Sequence, residues 1–181
     1  MLAAFGMTGA AVAGGSRIAD EGELGTYYTV AKGAQLDTAG YPETMLDEQA
    51  NACLSVGYRV SAQGVPGNII VLDRWNSVSG DKEPVDGFWK AFEASAVLAV
   101  SQWRFQPLEG VEAQPTFTVS TFGFMADDAM SNAAVRSHCR VAGRELAKVG
   151  NRMSHDAAWQ RASQVLWSPP HSVPSSTVSQ R

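Results

Sequence analysis

The chain has 181 residues, enough for one domain with extensions and a sizeable buried core. Its hydrophobic fraction of 45% is ordinary for a globular protein. The formal net charge of −4 argues against nucleic acid as a partner, because phosphate binding requires a basic surface. Residues 1–15 are uncharged and too short and glycine-rich for a membrane span, and their small residues are typical of a signal-peptide end.

Residues 16–35 are polar and punctuated by glycine, which predicts a linker. Within them, the run from Tyr27 to Val30 has strand-forming residues. It forms either a short strand or part of the linker.

Two strands are predicted next. Apolar and polar residues alternate from Leu54 to Val60, which indicates a half-buried strand. Turn residues follow between Ser61 and Gly64, so the run from Asn68 to Leu72 returns as a hairpin. This second run is apolar on both faces, which favours a central position in the sheet.

A helix and a last strand complete the domain. Aromatic and small apolar residues recur at steps of three and four over residues 86–103, and Pro107 prevents the helix from continuing. The run from Thr116 to Phe124 is rich in Thr, Phe and Val, as strands are. The predicted fold class is α+β: a small antiparallel sheet with a helix packed across it, in the order ββαβ.

A helical extension is predicted over residues 126–167. Its first helix begins at Asp127-Asp128, and an apolar stripe that includes Val135 and Leu146 runs to a stop at Gly150-Asn151. A second helix is predicted from Asp156 to Trp167. Residues 168–181 are rich in Ser and Pro, which predicts a disordered tail.

Residues 36–125 contain a series of short motifs: Tyr41 and Pro42, then the strand from Val56 to Val60, then Gly64, and last the helix exit with Trp103, Arg104, Phe105 and Pro107. In this order the motifs resemble the C-terminal domain of TonB-type energy transducers. Ala52 departs from the pattern, since a glycine is usual before the first strand. The long loop before the helix and the helical extension depart from it too.

The resemblance implies a periplasmic protein that takes part in TonB-dependent transport. In such domains an extended segment of an outer-membrane receptor adds as a strand beside the last strand. Here the implied partner-binding edge consists of Gln114, Thr116, Thr118, Ser120 and Phe122. If the protein is anchored, inner-membrane motor proteins are further expected partners, and a free edge also permits a homodimer by strand exchange. The alternative is a core strand that the C-terminal helices protect.

The two cysteines, Cys53 and Cys139, are expected to pair if the protein is exported to an oxidising compartment. Such a disulfide would hold the first helix of the extension against the domain. The alternative is two separate thiols.

Catalytic signals are weak. His138, His155 and His171 lie in the C-terminal part without a nucleophile or metal-ligand spacing, so we expect no enzyme, no cofactor and no metal site. A basic stripe on the extension, Arg136, Arg140, Arg144 and Lys148, indicates either an acidic partner or a solvated helix flank. The rival to transduction is a soluble periplasmic scaffold protein that keeps the fold alone.

Overall fold

The computed structural model describes residues 16–127 and 129–155. The strands are β1 (Arg17–Ile18), β2 (Tyr28–Val30), β3 (Ala52–Val60), β4 (Pro66–Asn76), β5 (Phe105–Pro107) and β6 (Thr116–Phe124), and the helices are α1 (Phe88–Gln102), α2 (Asn132–Ser137) and α3 (Gly143–His155). The predicted signal-peptide end, the second helix of the extension and the disordered tail lie outside the described residues.

The main sheet has the strand order β1-β6-β3-β4. Strand β3 is its centre and pairs antiparallel with both β4 and β6. Strand β1 pairs parallel with β6, so the sheet is mixed, and the expectation of a purely antiparallel sheet is wrong at this edge. The α+β class is confirmed, with α1 between β4 and β6 in sequence.

One face of the main sheet carries α1 and the two-stranded β2–β5 ribbon. Leu54, Val56 and Tyr58 of β3 join Phe92 and Val100 of α1 in the largest buried cluster. The alternating apolar residues of β3 thus meet the apolar stripe of the helix, as their periods require. Helix α1 ends at Gln102, one residue before the predicted boundary, because Trp103 is already extended.

The opposite face of the main sheet is covered by the C-terminal helices. Phe117 and Val119 of β6 contact Leu146 and Met153 of α3 in a second buried cluster. The expectation of one continuous helix to Gly150 is wrong. The chain leaves α2 after Ser137 and begins α3 at Gly143, which breaks the predicted basic stripe. No helix among the described residues is long and apolar enough to cross a membrane.

Two further expectations about the sheet are corrected. Residues 16–35 are not a linker, because they contribute β1 to the main sheet and β2 to the ribbon. Strand β4 lies at the sheet edge rather than at its centre. Its two-sided apolar pattern has another cause: Val71 packs into the cluster under α1, whereas Leu72 packs into the cluster under α3.

Candidate functional site

Strand β6 is the most regular strand of the main sheet. All nine of its residues pair with β3, from Ala52 opposite Phe124 to Val60 opposite Thr116, without a register shift. The β-branched and aromatic residues of Thr116–Phe124 suit a strand whose two faces are both covered. A regular strand of this kind presents an evenly spaced row of backbone groups along its other edge.

The chain itself occupies the first half of that outer edge. The Arg17 N–H donates to the Pro115 carbonyl oxygen at 2.8 Å, and the Ala19 N–H donates to the Phe117 carbonyl oxygen at 2.9 Å. Between these two bonds runs β1, two residues long and parallel to β6. The expectation that β6 forms a free sheet edge is therefore wrong over this half.

A carboxylate closes the edge further along. Glu21 accepts hydrogen bonds from the Thr121 N–H at 2.8 Å and from the Thr121 hydroxyl at 3.0 Å. The same carboxylate forms an ion pair with Arg136 of α2 at 2.8 Å. Because both side chains of this pair are partly exposed, it stabilises the fold only modestly. Glu21 and β1 together shield the β6 edge.

The five residues predicted for the partner-binding edge are even-numbered, whereas the odd-numbered residues direct their backbone groups to the outer edge. Pro115, Phe117 and Thr121 direct backbone groups away from β3, as their bonds to residues 17–21 show. Residues alternate along an antiparallel strand, so even-numbered residues direct theirs at β3. Thr116 and Thr118 are buried, whereas Gln114, Ser120 and Phe122 are partly buried.

Sequence reasoning missed the residues that contact this edge: Arg17, Ala19 and Glu21. A two-residue strand has no periodicity, and a single glutamate carries no spacing signal. The apolar pair Ile18-Ala19 within a polar stretch is the only signal that could have indicated pairing.

The residues that carry the sequence resemblance position the strands around this site. Gly64 adopts a φ of +82°, and its carbonyl oxygen accepts from the Phe105 N–H at 2.9 Å. Trp103 is 7% exposed, and its indole Nε1 donates to the Asp37 carbonyl oxygen. Arg104 donates to the Ser101 and Trp103 carbonyl oxygens. The bond from Phe105 to Gly64 fastens the exit of α1 to the hairpin turn, and the bond from Trp103 fastens it to the segment before β3.

The opening pair of the motif fastens the segment before β3. Pro42 precedes the 3₁₀ turn Glu43–Glu48. The Tyr41 hydroxyl donates to the Ala50 carbonyl oxygen at 3.0 Å, and its ring contacts Phe92 edge-on. Burial raises the pKa of Tyr41 above its usual value. At the other end of the motif, Pro107 pairs with Tyr28 in the ribbon.

A disulfide joins Cys53 and Cys139, with Cα atoms 6.0 Å apart. Both residues are fully buried and pack with Val135 of α2. Next to them, the Ser55 hydroxyl bonds the Cys139 carbonyl oxygen and the Thr121 hydroxyl. The predicted covalent link between the domain and its helical extension is therefore present. It fixes α2 beside β3 and places Arg136 within reach of Glu21.

Comparisons with known proteins give a likeness of fold. No protein-family model matches the chain, and no curated protein matches it. It is similar to the solution NMR structure of the Pseudomonas aeruginosa TonB CTD, with 18% sequence identity and a TM-score of 0.40. The aligned part covers 54% of this chain and 84% of that one. A similarity at this TM-score and identity assigns no family, partner or activity to the chain.

Metal ligands do not cluster in the part of the chain that the structure describes, since no group of three or more His, Cys, Asp or Glu residues there could hold a metal ion.

Proposed function

We propose that this protein is a periplasmic domain of the energy-transducer type, which binds outer-membrane receptors by strand addition and takes part in TonB-dependent transport. One observation carries the proposal. The outer edge of β6 already accepts an extended segment in parallel pairing, namely residues 17–19 of the chain itself. A receptor segment that adds a strand would take the place of β1.

The other edge of the main sheet suits strand addition poorly. Strand β4 begins with Pro66, has two register shifts against β3, and contains Asn68 at a φ of 51°. Near its end, Asp73 accepts from the Arg74 N–H, and Asn76 pairs with Gly80. Proline, bulges and local capping are the devices that keep an edge strand from pairing. Along Thr116–Phe124, β6 has neither a proline nor a register shift, and the side chains that bond its outer edge, those of Glu21 and Asn132, come from other segments of the chain.

The cost of displacing β1 is small enough for exchange. The parallel pairing of Arg17 and Ile18 with β6 holds this segment, together with the hydrogen bonds that the Arg17 and Ala19 N–H groups donate. Ile18 also packs against the cluster under α3, and the Glu21 carboxylate accepts one more hydrogen bond from the backbone. Each hydrogen bond contributes about 0.5–1.5 kcal/mol net. A longer receptor segment can form the same bonds and continue past Thr121, so it would gain more pairing than it displaces.

The cysteines support the proposed location. A buried disulfide between Cys53 and Cys139 forms and persists in oxidising compartments, of which the periplasm is one. If the protein is anchored in the inner membrane, motor proteins there would be its second partners.

The test is an NMR titration of the full ¹⁵N-labelled, oxidised chain. Extended peptides from the periplasmic N-terminal segments of the host's outer-membrane receptors are added. We expect amide shifts at Phe117, Val119 and Thr121, together with shifts at residues 17–21 that report the release of β1. A peptide that shifts only β4, or that shifts nothing, would contradict the proposed edge.

Two variants sharpen the test. Ala19→Pro removes the N–H that bonds Phe117, and Glu21→Ala frees the Thr121 N–H. Each should raise peptide affinity about fivefold, because β1 competes less well. Ala31→Pro is the matched control: it removes an N–H that bonds the Arg104 carbonyl oxygen in the ribbon, away from the β6 edge. Equal effects of Ala19→Pro and Ala31→Pro would contradict competition at β6.

The rival function is a soluble periplasmic scaffold that keeps this fold without transduction. The observation that favours it is that two partners hold Glu21 at the β6 edge. The Glu21 carboxylate accepts a hydrogen bond from the Thr121 N–H and pairs with Arg136. If β1 stays on β6 at saturating peptide in the wild type and in Glu21→Ala, the scaffold function replaces transduction. Strand exchange between two copies would instead appear as a dimer in light scattering, with β1 of one copy on β6 of the other.

A further inference from the structure

A cavity of about 420 Å³ lies between the main sheet and the β2–β5 ribbon. Thr118 and Ser120 of β6 line one side of it, and Tyr28 and Phe105 of the ribbon line another. The cavity opens beside the 3₁₀ turn Glu23–Thr26, where Leu24 and Gly25 form part of its wall. Its volume falls within the range of about 300–1,000 Å³ that is usual for small-molecule sites.

The wall of this cavity is aromatic and uncharged. Tyr28, Tyr58, Trp103 and Phe105 supply four rings, and none of the described residues that line the cavity carries a charge. Leu36, at the same cavity, is 44% exposed although it is a large apolar residue. A charged ligand would lose its hydration here without gaining an ion pair, so the wall selects for neutral, apolar molecules.

One polar group in the wall lacks a partner. The Thr118 side-chain oxygen Oγ1 is buried and has no hydrogen-bond partner among the described residues, although Thr118 is only 1% exposed. A buried hydroxyl left unbonded costs free energy, which a ligand could recover by bonding it. On the same wall, the Tyr58 and Ser120 hydroxyls lie 3.1 Å apart and bond each other.

Tyr58, one member of this hydroxyl pair, stays neutral over the physiological pH range. Burial is the main cause that raises the pKa of Tyr58 to about 12, with a smaller opposing effect from its bond to Ser120. The polar side-chain groups of the wall are therefore neutral, and they lie next to aromatic side chains that meet edge-on. Such a wall suits a flat apolar ring that carries one hydroxyl.

From this arrangement we infer that the cavity binds a small, neutral aromatic molecule with one hydroxyl group, which bonds Thr118 Oγ1 while its ring lies against Tyr58 and Trp103. This site goes beyond the proposed receptor binding and does not rest on it. The cavity lies mainly on the α1 side of the main sheet and reaches the β6 edge at Gly22 and Val119, whereas the proposed receptor segment pairs along the length of that edge.

The test compares three probes of the same ring size by NMR titration of the full oxidised chain. The probes are 2-naphthol, naphthalene, which lacks the hydroxyl, and 2-naphthoate, which carries a charge. We expect saturable binding of 2-naphthol with shifts at Leu36, Thr118 and Ser120, and at least about tenfold weaker binding of 2-naphthoate. Absence of saturable binding, or shifts confined to other parts of the chain, would overturn the inference.

Thr118→Val tests the role of the unpaired hydroxyl. Valine has the same shape, and no hydrogen bond is lost, so the variant should be at least as stable as the wild type. Its preference for 2-naphthol over naphthalene should fall about fivefold, because the ligand hydroxyl loses its partner. Thr116→Val is the matched control on the same strand and face, where the hydroxyl bonds Gln114 outside the cavity. An unchanged preference in Thr118→Val, or an equal fall in Thr116→Val, would overturn the assignment of Thr118.

Discussion

A single methyl group added at Gly64 should destabilise the domain strongly. A Cβ at this position would lie 1.9 Å from the Phe105 carbonyl oxygen, and its φ of +82° strains any other residue. Neither the backbone of β5 nor the tight turn can move away without breaking the bond from the Phe105 N–H to Gly64. We expect Gly64→Ala to lower the free energy of unfolding by at least about 3 kcal/mol, measured by urea denaturation.

Gly33→Ala separates the steric effect from the backbone effect. Gly33 has nearly the same φ, +79°, but a Cβ there would meet nothing within 4 Å. Its substitution should therefore cost only the left-handed conformation, about 1–2 kcal/mol. Equal losses at Gly64 and Gly33 would show that the contact with Phe105 is unimportant.

Residues whose partners are set by local pattern were predictable, and those with distant partners were not. The helix-exit motif indicated that Trp103 and Phe105 lie in the core, and both are 7% exposed. By contrast, Glu21 bonds Thr121, 100 residues further along the chain, and nothing in the spacing of acidic residues marks that contact. The sequence also could not predict that the Thr118 hydroxyl has no hydrogen-bond partner among the described residues, because it does not reveal which buried threonine is left unbonded.

Strands β3 and β6 were predicted well, whereas β4 (Pro66–Asn76) extends beyond both ends of the predicted run from Asn68 to Leu72. Strand β6 has the predicted bounds, and β3 is only two residues longer than its alternating pattern indicated. The break between α2 and α3 could not be predicted, because apolar residues continue at helical spacing through the turn that separates the two helices. At that break, His138 ends α2, and its ring stacks on Trp75 at 3.8 Å. Tertiary contacts, rather than helix propensity, decide where α2 stops.

The docking of α3 depends on a glycine at its closest approach to the sheet. A Cβ on Gly150 would lie 2.9 Å from Phe117 Cδ1 and 3.0 Å from Ile18 Cδ1. A larger side chain would push α3 away from β1 and β6. We expect Gly150→Val to lower the free energy of unfolding by about 2 kcal/mol and to speed hydrogen exchange of the Ala19 amide, which bonds Phe117.

Lys148→Val is the control for that variant. Lys148 lies on the same helix but is exposed, so the change introduces valine without a clash and removes only a surface ion pair with Glu145. Its effect on exchange at Ala19 should be negligible. If Lys148→Val and Gly150→Val accelerate that exchange equally, α3 does not hold β1 in place.

At the scale of the whole molecule, the main sheet is sandwiched between unlike layers. Helix α1 and the β2–β5 ribbon cover one face through one apolar cluster, while α2 and α3 cover the other through separate clusters. The C-terminal helices thus lie across a face of the sheet and also reach the outer edge of β6. From α2, Arg136 pairs with Glu21, and Asn132 donates to the Gly123 carbonyl oxygen. From α3, the cluster around Leu146 packs against Ile18 of β1. A segment that replaces β1 therefore exchanges contacts with these helices as well as with β6.

The disulfide is the one covalent tie between these layers within the described residues, and its removal tests how far the second layer depends on it. It closes a loop with a sequence separation of 86 residues, for which the chain-entropy argument gives about 4–5 kcal/mol. We expect the double variant Cys53→Ala, Cys139→Ala to lose that much stability in urea denaturation, with the loss matched by the reduced wild type. Both side chains are fully buried, so alanine leaves no unpaired polar group to add to the loss. A fall below about 1 kcal/mol would mean that the packing of Val135 and Leu146 alone holds the helices on the sheet.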